Sequence, residues 1–147
     1  MNKIENLSEK QNQLLFWGCF AALAATSFGF IVRTQVIGDW GVEFGLSETE
    51  KGEIFGVGLW PFCISIILFS LIVDKIGYGI SMMIAFGLHV LSAVVTIFAD
   101  GYWMLYIGTF ILALGNGTVE AAINPVVATI SPKEKTKWMN ILHARWP

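Results

Sequence analysis

Four polar residues in an otherwise apolar stretch of this 147-residue chain recur at spacings of seven, four and four: Thr109, Asn116, Glu120 and Asn124. That spacing puts all four on one face of a helix. Their neighbours are mostly Ile, Leu, Ala, Val and Phe. A charged acid at the centre of a bilayer costs about 2.5–3.5 kcal/mol on insertion scales, so such a stripe is expected to face a bundle interior or a water-filled cavity. Glu120 is the one member that can change charge. Burial disfavours the ionised carboxyl, and alternating contact with two aqueous sides would let it load and release one proton per cycle. Gly115 and Gly117 flank the stripe and permit close backbone approach. Pro125, directly after Asn124, is expected to break or kink the helix and free carbonyls beside it.

Arg33 is the second candidate. It lies about 19 residues from the start of the first apolar run, roughly 28 Å along a helix axis. Two readings stand: a cation whose head lies in the outer interface, or a cavity residue that pairs with Glu120 or holds an anionic solute group. Thr34 and Gln35 follow it and offer neutral hydrogen bonds. His89, alone in its apolar run, reads as a satisfied buried histidine. Cys19 and Cys63 both fall in apolar runs and read as small buried hydrophobes rather than a metal or disulfide framework. Phosphate-binding glycine loops, nucleophile elbows and histidine clusters are absent, so neither an enzyme nor a cofactor is implied.

The elements that must position these residues follow from charge distribution. Hydrophobic residues make up 55% of the chain and charged residues 14%, against roughly 25% charge in soluble domains. Residues 14–32, 54–73, 80–98 and 101–119 contain no Asp, Glu, Lys or Arg. Each is about the 20 residues that cross a bilayer as a helix. They lack the period-two alternation of barrel strands. The expected class is therefore all-α, a polytopic membrane bundle within a lipid bilayer. A net charge of −2 argues against a nucleic-acid partner.

Four helices are expected at about 14–37, 48–73, 80–98 and 102–130, with a fifth beginning near 136. Ser47 and Glu50 form a capping box that starts the second, and Pro61 should kink it. Small residues at Gly18, Ala22, Ala25 and Gly29 offer a tight packing face on the first. Lys3, Lys10, Lys75, Lys133, Lys135 and Lys137 fall on one side and Lys51 on the other, so the amino terminus is expected in the cytoplasm, in a multi-pass protein of the cell membrane.

The turn at 70–79, Ser-Leu-Ile-Val-Asp-Lys-Ile-Gly-Tyr-Gly, resembles the loop between helices two and three of major facilitator superfamily transporters, Gly-x-Leu-x-Asp-Arg-x-Gly-Arg-Arg. Asp74, Lys75 and Gly77 match this gating loop, while Ser70, Tyr78 and Gly79 depart from it. The tract 115–147 resembles the fucose–proton-symporter-like branch. There a Glu in helix four is followed by Asn-Pro and by a helix-five start like Leu-Asn-x-x-His-Ala-x-Trp-Pro; Glu120, Asn124, Pro125, Asn140, His143, Trp146 and Pro147 fit. The resemblance implies a transporter coupled to protons or sodium, with Glu120 in a central cavity and a small polar solute as cargo. Arg33 and Thr34 stand where some sugar symporters of that branch carry an acid. Such transporters have two halves of about six helices, so the chain is expected to be an amino-terminal fragment whose partner is the remaining half. The competing expectation is a four-span subunit or scaffold that acts by association.

Overall fold

The computed structural model describes residues 7–144, and those residues form six helices and no strand. They are α1 (Glu9–Glu43), α2 (Glu48–Gly56), α3 (Trp60–Ile76), α4 (Tyr78–Ile97), α5 (Tyr102–Ile130) and α6 (Lys135–His143). Four helical segments are long and apolar enough to cross a membrane: α1, α2 with α3, α4 and α5.

α1 is longer than expected at both ends. Ser8 caps it reciprocally with Gln11, which satisfies two amides and starts the helix at Glu9 instead of 14. No breaker follows Arg33, so helical pairing persists to Glu43; Gly45, at φ 63°, then turns the chain. The expected small-residue face packs only in part. Gly18 has open space around it and Ala25 is exposed, whereas Ala22 packs against the core cluster of α1 and α5 and Gly29 meets the Leu112 side chain.

The second span is two helices rather than one kinked rod. α2 begins at Glu48 under the Ser47–Glu50 box. It stops at Gly56, and a tight turn follows in which the Gly58 and Leu59 amides donate to Phe55 and Gly56. Pro61 cannot donate to the carbonyl four residues earlier and clashes with it, so the interruption falls ahead of it. Flanking glycines leave the helix at little cost. Pro61 itself lies in the first turn of α3, where its missing N–H is harmless. Pro125 behaves otherwise: α5 runs helically through it, and the Thr129 hydroxyl donates to its carbonyl at 2.8 Å.

Only Gly77 separates α3 from α4. Its φ of 88° and ψ of 149° lie in a region open essentially to glycine. Gly77→Ala is expected to destabilise the bundle by about 1–3 kcal/mol, read as an earlier thermal transition in detergent.

α5 is the hub and contacts every other helix. Glycines set its spacing: a Cβ at Gly108 would strike Thr96, at Gly115 the His89 ring, and at Gly117 the backbone of α3. α1 runs antiparallel to it. Phe16, Cys19 and Leu23 pack with Val119, Ile123 and Val126 at one end, and Ile37 and Trp40 pack against the cluster of Leu46, Ile54 and Leu105 at the other. Tyr78 and Trp138 join the first cluster, so the α3–α4 turn, the α1 start and the α5–α6 loop share one end. Lys10, Lys75, Lys133, Lys135 and Lys137 lie in those segments, and Lys51 lies in α2 beside Gly41 of α1.

Candidate functional site

The polar stripe of α5 is buried. Thr109 is 1% exposed, and Asn116 and Glu120 are each 8% exposed; Asn124 is half-buried. Its members have different partners. The Thr109 hydroxyl is spent on the Leu105 carbonyl, and its methyl lies against Gly58 in the α2–α3 break. Asn116 meets His89 of α4, whose Nε2 lies 2.9 Å from the amide while its Nδ1 lies 2.7 Å from the Ala85 carbonyl. A carbonyl only accepts, so Nδ1 carries hydrogen, and the other ring nitrogen, Nε2, faces the Asn116 Oδ1. His89 is thus satisfied by its own helix and by Asn116, and it holds that amide in one orientation.

Glu120 and Asn124 form a unit. Four residues apart, they stack on one helix face, and Asn124 Nδ2 donates to Glu120 Oε2 at 3.1 Å. The Asn124 carbonyl oxygen accepts from Nε2 of His143 on α6 at 3.2 Å. A continuous chain therefore runs from a carboxylate on α5 to an imidazole on α6. A cavity of about 310 Å³ opens on it, lined by Ile66 and Ser70 of α3, Glu120, Asn124 and Pro125 of α5, and Met139 of α6. This volume is at the lower end of small-molecule sites. The carboxyl faces this space between three helices.

Arg33 is 8% exposed and lies on the α1 stripe that faces α5, one turn beyond Gly29. It does not pair with Glu120, as one sequence reading expected. Gly29 stands opposite Leu112, and from that level Arg33 and Glu120 diverge by four and eight residues in opposite directions, about 18 Å along the bundle axis. Among the described residues the only ion pairs are Lys51–Glu48 and Lys137–Glu134. The Arg33 Nε is buried with no hydrogen-bond partner. Thr34 is exposed, and its hydroxyl bonds the Phe30 carbonyl, so the structure does not bring it to the stripe.

Asp74 and Lys75 are exposed at the α3–α4 turn, away from the stripe. The Tyr78 hydroxyl donates to Asp74 Oδ1 at 3.1 Å, so a tyrosine stands on the carboxylate that a basic residue would otherwise face. Trp146 and Pro147, which also carry the sequence resemblance, and Lys3, which contributes to the charge asymmetry, lie outside the described residues. Two contacts escaped sequence reasoning. Ser65 of α3 bonds the Leu114 carbonyl at 2.7 Å and Thr118 at 3.1 Å, clamping α3 to α5. His143 was visible only as a letter in a motif; its contact with Asn124 needs the α5–α6 turn.

In lipid, only groups whose polar atoms are internally satisfied or water-lined persist. A hydrogen-bonded acid beside an open cavity, in the helix that every other helix touches, suits a path for a polar solute. Comparison with curated proteins and with solved structures returned no match. The sequence model of the Major Facilitator Superfamily matches residues 14–146, and with four membrane-crossing helical segments this chain belongs to that superfamily of multi-pass membrane proteins, which carry small-molecule solutes across the bilayer.

Proposed function

We propose that this chain is the amino-terminal part of a secondary transporter that moves a small polar solute by alternating access, with Glu120 as the ion-coupling acid. The observation that carries this reading is the burial of Glu120 at a cavity between α3, α5 and α6, hydrogen-bonded to Asn124. A carboxyl there can exchange a proton with whichever aqueous side the cavity meets. Asn116, Asn124, Thr109 and Arg33 belong to the solute path in this reading, and His143 positions Asn124. Thr34, which is exposed on α1 away from the stripe, is left out of it.

The likeness of 115–147 to the fucose–proton-symporter-like branch suits coupling to protons or sodium, and a titratable acid in the cavity favours the proton. The lysine-rich end suits the cytoplasmic side by the positive-inside rule, which would leave the amino terminus in the cytoplasm of a protein of the cell membrane. The Asp74–Lys75–Gly77 turn then lies on the cytoplasmic face, where it would brace the inward closure. The second half of the carrier would supply the other wall of the cavity. The many apolar side chains exposed on this chain, among them Leu71, Phe86 and Trp103, suit contact with lipid and with that half.

The test is gradient-driven uptake by the full-length protein in proteoliposomes. Accumulation is expected with an inward proton gradient and no sodium. Accumulation that needs sodium instead would replace the ion, and absence of any driven uptake would remove the carrier reading.

A further inference from the structure

We propose that the transported solute is a small organic anion, and that Arg33 takes its oxyanion group. The inference rests on the reading of the chain as a carrier coupled through Glu120.

Arg33 is the starting point because its burial is not compensated. It is more than nine-tenths buried on the α5-facing side of α1, its Nε has no hydrogen-bond partner, and among the described residues no carboxylate lies within ion-pair distance. A guanidinium stays charged in a protein and offers five donors. An unpaired one buried within a membrane bundle is costly and is read as functional by default.

The acids that could neutralise it are engaged or distant. On α2, the helix nearest in level through the Phe30–Phe55 ring contact, Glu48 bonds Lys51, Glu50 returns to Ser47, and Glu53 accepts the Tyr102 hydroxyl. Asp39 and Glu43 on α1 and Asp100 before α5 are exposed. Glu120 is about 18 Å away along the axis. The described residues therefore hold a buried cation without an acidic partner toward the outer end of the bundle and a buried acid without a basic partner toward the inner end, with Thr109 and Asn116 of α5 at levels between them. A planar fork of donors suits a carboxylate or a phosphate bidentately. A neutral sugar would leave the cation uncompensated throughout the cycle.

One consequence separates this proposal from neutral-solute transport. A monoanion carried with one proton moves no net charge, so the pH gradient drives uptake and the membrane potential does not. A neutral solute carried with a proton would respond to both.

The full-length protein in detergent, probed with glucuronate, lactate and glycerol phosphate against glucose and chloride, provides the test. At least one organic anion should raise the thermal transition, while glucose and chloride should not. Arg33→Met should remove that response and raise the intrinsic transition temperature, because it deletes an uncompensated buried cation. Arg33→Lys should keep the response with affinity weakened about tenfold to hundredfold, the range for a lost charge-assisted hydrogen bond. Uptake of a responsive monoanion, glucuronate or lactate, should be indifferent to a clamped potential, whereas glycerol phosphate, mostly a dianion near neutral pH, would carry net charge with a single proton. The proposal falls if none of the three anions shifts the transition, if the shift survives Arg33→Met, or if glucose alone acts. It also falls if Arg33→Met lowers intrinsic stability, since Arg33 would then hold an acid from the rest of the carrier. A Glu120→Gln protein that keeps both the anion response and pH-driven uptake would overturn the coupling reading and leave the anion site standing.

Discussion

Glu120→Gln is expected to abolish uphill, proton-driven accumulation while leaving downhill exchange of solute intact. Gln keeps the shape of the protonated acid and keeps an oxygen to accept the Asn124 Nδ2–H, so the local packing survives. It cannot bind or release a proton, and a full cycle no longer carries one. A pH difference of one unit is worth about 1.4 kcal/mol per proton, or about a tenfold concentration ratio. That ratio should collapse to unity in the variant, whereas exchange of labelled for unlabelled solute at equal pH should persist. Loss of both activities with an intact fold would make Glu120 a binding residue instead of a coupling one.

Gly117→Val should produce the largest loss of stability. A Cβ at this position would stand 2.5 Å from the Phe62 carbonyl oxygen and 2.7 Å from the Ser65 Cβ, both part of α3. Neither is the far end of a flexible side chain, so α3 itself must move. Replacing a helical glycine by alanine gains up to about 1 kcal/mol in propensity. Overpacking costs about 1–3 kcal/mol, and displacing α3 also breaks the Ser65 bonds to Leu114 and Thr118. The loss wins for Ala and grows with the two methyls of Val. Gly87→Ala on α4, where nothing lies within 4 Å, is the control and should be neutral or mildly stabilising. Thermal unfolding in detergent should therefore rank Gly87→Ala above the parent and Gly117→Val well below it. Equal transitions for the two variants would mean that α3 does not pack on α5 as described.

Much of this architecture is written locally. Charge-free runs of about 20 residues specify four spans because lipid offers no alternative partner for backbone groups, and the 7–4–4 spacing specifies a common face on α5. The Ser47 box sets the start of α2 because its two hydrogen bonds join residues three apart. What was not legible depends on partners far apart in sequence. Gly18 and Gly29 share a helical repeat, yet whether such a face packs is decided by the neighbour, and only Gly29 meets one. The two internal prolines, Pro61 and Pro125, look alike as letters. One has glycines ahead of it and ends a helix there; the other sits in the densely packed α5, where neighbouring helices hold the geometry. Arg33 and Glu120 are complementary in charge, but the antiparallel register of α1 and α5 separates them. Asn124 and His143 meet only because the chain turns between 131 and 134.

Position 120 offers the most direct test, by cysteine accessibility. In a background lacking Cys19 and Cys63, Glu120→Cys in the full-length membrane protein should react with a charged, water-borne thiol reagent, and bound solute should slow that reaction. Labelling by lipophilic reagents alone would mean that the side chain faces acyl chains, and the solute path along α5 would then have no acid in it.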